Sequence, residues 1–127
     1  MIDTGGVVTY IRWFQPDEDL WCYDELDDER WSTRHIEVRA QDRTFVAAAS
    51  LAEVVQARDS PDPWAVNAYE RRYGVVPEMA FPTVAGDDEP PIEPTSPEAF
   101  ERLWEQGRQA RESPDGEVAK GSGPETG

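Results

Sequence analysis

The sequence predicts a single α+β domain over residues 5–112, with a small antiparallel sheet of three or four strands and the C-terminal helix packed on one face. Three stretches carry that prediction. V-V-T-Y-I-R-W-F at 7–14 is β-branched and aromatic apart from Arg12. S-T-R-H-I-E-V-R-A at 32–40 alternates residue by residue and is followed, across a short polar break, by R-T-F-V-A-A-A-S. S-P-E-A-F-E-R-L-W-E-Q-G at 96–107 repeats its apolar residues at helical spacing behind a capping serine.

Taken in order, Val7–Phe14 forms the first strand. Val7, Thr9, Ile11 and Trp13 share one face and Val8, Tyr10, Arg12 and Phe14 the other, so both faces carry apolar groups, as in a central strand. Pro16 ends it. Residues 17–29 thread Leu20, Trp21, Cys22, Tyr23 and Leu26 among acids, which predicts a connection with only a short strand or turn around Leu20–Tyr23. Ser32–Ala40 is a half-buried strand with Thr33, His35, Glu37 and Arg39 on its polar face. Gln41-Asp42 makes a tight turn, and Arg43–Ser50 returns beside it.

Leu51–Arg58 and Asp62–Tyr73 have helical composition. In the second, Asp62 can cap, Pro63 suits the first turn, and Gly74 stops the helix. Residues 75–95, rich in Pro, Asp and Glu, read as an extended loop held down by Phe81 and Ile92. The last helix is capped by Thr95 or Ser96, with Pro97 and Glu98 in its first turn and Phe100, Leu103, Trp104 and Gly107 along one side. Residues 113–127 have almost nothing to bury and read as a disordered tail.

Charge narrows the partner. The 127-residue chain holds 27 acids against 12 bases, a formal net charge of −15. Nucleic acid and anionic membranes need clustered Lys and Arg, so direct phosphate contact is disfavoured, whereas a basic protein or peptide is favoured. The single cysteine, Cys22, rules out an internal disulfide framework. With no leader-like start and no apolar run near ~20 residues, this predicts a cytoplasmic protein.

The blocks Tyr10-Ile11 with Trp13, Tyr23-Asp24-Glu25-Leu26-Asp27-Asp28-Glu29-Arg30, Arg34-His35-Ile36-Glu37-Val38, and Ser96 through Phe100-Glu101 to Trp104 are similar to a large uncharacterised bacterial family of small acidic proteins, catalogued as a domain of unknown function. Its pattern runs Y-I-x-V-x-W, E-L-D-E-x-R-x-x-R-K-I-E-V and S-x-E-x-F-E-x-x-W. The resemblance implies the same fold and marks residues 51–80 as a helical insertion. It departs at the hairpin turn, where Gln41-Asp42-Arg43 replaces the family's Asp-Gly. By type, such small acidic proteins imply an immunity-like neutraliser of a toxin.

Several residues are candidates for chemistry. Glu25, Asp27, Asp28 and Glu29 surround Leu26 and precede Arg30 and Arg34. Paired carboxylates could act as acid and base or hold calcium, but the EF-hand spacing is missing. Fork-shaped arginine side chains suit bidentate carboxylate pairing, which favours Glu25 and Asp27 fastening a corner to Arg30 and Arg34. His35, the only histidine, beside Glu37, could be a general base, yet its polar-face position predicts an exposed sheet residue. One Cys and one His do not supply a four-ligand zinc site, and no phosphate-cradling loop is present, so neither metal nor cofactor is predicted. Trp21, Trp31 and Trp64 sit among charges, and an exposed Trp ringed by carboxylates would suit a basic surface.

The sequence therefore favours a non-enzymatic acidic binding module that uses Trp21, Glu25, Asp27, Asp28, Trp31, His35 and Glu37. The alternatives are a small accessory or peptide-binding enzyme of a biosynthetic cluster, with Glu25, Arg34, His35 and Glu37 around a pocket, and a DNA-mimic regulator.

Overall fold

The computed structural model describes residues 8–83 and 91–112, and the elements run β1 (Thr9–Gln15), β2 (Leu20–Leu26), β3 (Ser32–Arg39), β4 (Phe45–Ser50), α1 (Leu51–Arg58), α2 (Ala65–Tyr73), β5 (Glu93–Pro94) and α3 (Pro97–Glu112). The sheet is antiparallel with the order β4-β3-β2-β1-β5. It has five strands, where the sequence predicts three or four. The extra ones have clear causes. Residues 20–26, predicted as mostly connection, form a full strand because their acids Asp24 and Glu25 find partners across the sheet and need not stay in water. The fifth strand is a two-residue pairing of the Pro-rich segment with Ile11 and Arg12 at the edge of β1, where a proline without an N–H is tolerated. Val7, the predicted start of β1, and the predicted tail 113–127 lie outside the described residues.

Direct cross-strand pairs fix which side chains share a face. Ile11 faces Asp24, Asp24 faces His35 and His35 faces Ala49; Trp13 faces Cys22, Cys22 faces Glu37 and Glu37 faces Ala47. These residues form one face. The other carries Tyr10, Tyr23, Ile36, Val38 and, after a register shift, Phe45.

α3 covers the second face, as predicted. Its entry is set by Ser96, whose Oγ accepts the Ala99 N–H at 3.0 Å. Phe100 is fully buried against Tyr23, Ile36 and Val38, with Tyr10, Trp21, Phe45, Leu103 and Trp104 packed around them. Gly107 lets the helix approach the sheet closely, since a Cβ there would meet Phe45 at 3.0 Å and Ala48 at 3.2 Å.

The first face is also covered, which the alternation in β3 does not reveal. Val54 of α1 and Val76 pack on Ala49, with Leu51, Tyr69 and Tyr73 beside them. Gly74 makes this possible: its φ of +99° suits glycine, and a Cβ would come within 2.4 Å of Ala47. The chain then crosses the sheet, and Phe81 joins Ile11 and Leu26, with Trp13 and Ile92 packed alongside. Phe81 and Ile92 thus anchor the loop as predicted.

The β2–β3 corner differs from the expected ion-pair cluster. Asp27 does not pair with Arg30 or Arg34; its Oδ1 accepts the backbone N–H groups of Glu29 and Trp31, both at 2.9 Å. Arg30 instead donates to the carbonyls of Phe81 at 2.7 Å and Pro82 at 2.8 Å, latching the crossing segment to the corner. A short acidic side chain beside a tight turn finds local backbone donors before it finds a distant guanidinium. The β3–β4 turn closes through Arg43, which adopts the left-handed conformation at φ 63° that the missing glycine would have favoured.

Candidate functional site

Asp24 is the buried acid that organises the site. It is fully buried at the centre of β2, and its two oxygens accept three hydrogen bonds, from Trp13 Nε1 at 3.0 Å, Ser32 Oγ at 2.7 Å and His35 Nδ1 at 2.7 Å. His35 is itself only 2% exposed, so it is not the exposed sheet residue the alternation predicts. Its other ring nitrogen, Nε2, reaches Glu37 Oε2 at 2.8 Å. The imidazole is therefore held at both ends by carboxylates from adjacent positions on one sheet face.

Burial alone pulls the His35 pKa down, but Asp24 and then Glu37 outweigh it and leave it raised to about 9. Both ring nitrogens then carry protons and donate. Because the folded-state pKa lies above the ordinary value of 6.5, this stabilisation is complete below pH 6.5 and is lost as pH rises through about 9. Melting curves of the wild-type chain should show a fall in Tm across that window. In a His35→Gln variant the fall should flatten, and an equal slope in both proteins would refute the assignment.

His35 and Glu37, backed by the buried Asp24, form one wall of a cavity. That cavity, about 280 Å³, is lined by His35 and Glu37 together with Trp13, Met79, Phe81 and Ile92 and the segment around Val75 and Pro77. Trp13 is placed by β1, while the opposite wall comes from the segment that Gly74 launches and Arg30 latches. Cys22 lies just behind. Its thiol, His35 and Glu37 bring three potential metal donors within 4.8 Å of one another. Asp24 behind His35 would be the kind of outer carboxylate that orients a metal-bound imidazole. As arranged, both imidazole nitrogens are engaged by carboxylates, and burial followed by Glu37 and Asp24 pushes the thiol well above its usual range. His35 and its two carboxylates, Asp24 and Glu37, act as a hydrogen-bonded charge cluster beside a neutral thiol.

The remaining predicted residues lie elsewhere. Glu25 and Arg34 do pair, at 2.8 Å, but on the α3 face. Burial opposes ionisation of Glu25, yet bonds from Arg34, Thr33 and Tyr10 prevail and lower its pKa. Arg34 extends to Glu101 on α3 and lies over the Phe100 and Trp104 rings, so it ties helix to sheet. Trp21 is stacked under Arg12 at 4.7 Å on that same face. Asp28 is exposed, and Trp31 is 40% exposed and forms a bridge with Ala80. The predicted binding set is thus divided among the α3 face, the β2–β3 corner, where Asp27 and Trp31 meet, and the pocket wall, where His35 and Glu37 meet. Sequence analysis missed Asp24, Trp13 and Met79 as site residues. The i, i+2 spacing of Asp24 with Cys22, like that of His35 with Glu37, was the signal available for a shared face.

Comparison with protein families, curated proteins and solved structures gives no match to this chain. Among the described residues no helix is long and apolar enough to cross a membrane.

Proposed function

We propose that the protein is an acidic binding module for a basic protein or peptide, with the pocket above His35 as the centre of its contact surface. The observation that carries this reading is the apolar rim of that pocket. Val75 is 58% exposed and Met79 is 47% exposed, while Trp31 stands close by in sequence to Asp28 and Glu29 and is bridged to Ala80. A patch of large apolar groups on a chain of net charge −15 supports steered encounter with a cationic surface. An immunity-like role against a basic toxin, in the cytoplasm, is the concrete form of this proposal, and the likeness of the central block to small acidic bacterial proteins belongs to it.

A catalytic reading draws on His35 and Glu37 lining a cavity. The geometry supports it less well. A histidine whose pKa is raised to about 9 is protonated near neutrality, so it is a poor general base there. Glu25 and Arg34, the other residues of that reading, sit on the opposite sheet face.

The test is to capture a partner on the immobilised full chain and then measure its affinity against salt. Affinity should fall by roughly tenfold or more between 50 mM and 500 mM salt, as expected for charges screened beyond a Debye length of about 10 Å at 0.1 M. A Met79→Asp variant should bind the captured partner more weakly. A flat salt response would overturn the reading.

A further inference from the structure

We propose that the cavity beside His35 and Glu37 is a binding site for a cationic amine carried on a compact apolar or aromatic stem. This goes beyond recognition of a protein surface, since a free small amine would satisfy it.

The shape and lining set the stem. At about 280 Å³ the cavity is at the lower end of ligand pockets, so the ligand is small. Among the described residues, every lining residue apart from His35 and Glu37 is apolar: Trp13, Val75, Pro77, Met79, Phe81, Pro82 and Ile92. The Trp13 and Phe81 rings, 6.2 Å apart, bring aromatic faces to the same cavity, and aromatic faces attract cations as well as apolar surface.

The polar wall sets the sign of the head group. Both imidazole nitrogens of His35 are already committed, to Asp24 and to Glu37. The wall therefore has no spare imidazole N–H to offer an anion. Glu37 spends Oε2 on His35, and among the described residues Oε1 has no hydrogen-bond partner. The Glu37 side chain is 26% exposed and lines the cavity. With Asp24 and Glu37 flanking one imidazolium, the cluster carries a net negative charge, and among the described residues no Lys or Arg lines the cavity. The site thus offers one acceptor of negative sign at the end of an apolar chamber. An ammonium group can donate to Glu37 in a charge-assisted bond while its stem fills the chamber. A carboxylate would face Glu37 with no donor to meet it.

The experiment uses the full chain and three probes that share one phenethyl stem: 2-phenylethylamine, 2-phenylethanol and 3-phenylpropionate. Binding is followed by NMR through the Trp13 indole N–H, which donates to Asp24 from inside the pocket wall. The amine should bind at least about tenfold more tightly than the carboxylate, with the alcohol between them. Glu37→Gln should remove most of the amine's advantage over the alcohol. A Val75→Trp variant, altered at the exposed rim and away from the polar wall, should weaken all three probes and keeps the test valid should Glu37→Gln fail to fold. Equal or tighter binding of the carboxylate, or no saturable binding of the amine, would overturn the proposal. Nα-acetyl-lysine methylamide separates the sources of the amine. Binding as tight as that of phenylethylamine points to a lysine of a partner, and much weaker binding points to a free aromatic amine. Failure of the amine probes would leave the salt response of a captured partner as an independent result, so the two proposals fail separately.

Discussion

Replacing Asp24 by alanine is expected to destabilise the protein by about 3–5 kcal/mol, a loss comparable with the whole stability of many domains. Asp24 is completely buried and is the acceptor for an indole N–H, a hydroxyl and an imidazole N–H. Its removal leaves three donors without their partner in a place water does not reach, and one of them belongs to a cation. The loss should also change sign of pH dependence. In the wild-type chain the histidine contributes most at low pH, because its folded-state pKa is raised to about 9. Without Asp24 the burial of His35, which opposes its charged form, is no longer outweighed by the larger of its two attractions. The variant should therefore recover part of its stability as pH rises from about 6 to about 9, where the imidazole is neutral. Urea unfolding of both proteins at the two ends of this range would check it. A deficit below about 1 kcal/mol that does not change with pH would contradict the network.

Phe100→Ala should cost a similar amount, about 3–5 kcal/mol, by a different route. The ring is fully buried, packs on Tyr23, Ile36 and Val38, lies 5.2 Å from the Tyr10 ring and is covered by the Arg34 guanidinium at 5.0 Å. Its loss opens a cavity between α3 and the sheet and removes the surface against which Arg34 is held. Arg34 links Glu25 of the sheet with Glu101 of the helix, so packing and ion pairing should weaken together. Hydrogen exchange should show α3 losing protection before the β2–β3 ladder does. Uniform loss of protection over helix and sheet would mean that the helix is not a separately released unit. Unlike Asp24→Ala, this variant should keep the wild-type fall of stability between pH 6.5 and 9, because the His35 cluster lies on the opposite face.

Much of the fold was legible because local physics and tertiary packing agree on it. The β-branched and aromatic run read at 7–14, the alternation read at 32–40 and the helix read behind its cap at 95 or 96, observed as Thr9–Gln15, Ser32–Arg39 and Pro97–Glu112, each state their conformation through period and end signals that do not depend on distant partners. α1 was read with its observed limits, Leu51–Arg58. The Glu25–Arg34 pair was also legible, since the two residues lie on neighbouring strands joined by a short corner.

What the sequence did not reveal depends on contacts between distant segments. Residues 20–26 look like a loop by composition, because Asp24 and Glu25 are poor strand formers in water. Only pairing with His35 and Arg34 makes them acceptable inside a sheet. His35 looks like a surface residue by alternation, because that pattern records how polar a face is and not whether something covers it. The cover is the segment after Gly74, which arrives from some forty residues downstream and is latched by Arg30 to the Phe81 and Pro82 carbonyls.

By itself, then, the sequence determined the strands and helices whose periodicity is local, the sign of the chain's charge and the absence of phosphate-binding signatures. The tertiary structure alone decided that the solitary histidine is buried between two carboxylates, that it borders an apolar cavity, and that the predicted binding residues fall on separate faces. The physical reason is range. Periodicity, capping and net charge act within a few residues or are sums over the chain, whereas the burial of a polar side chain is set by whichever remote segment closes over it.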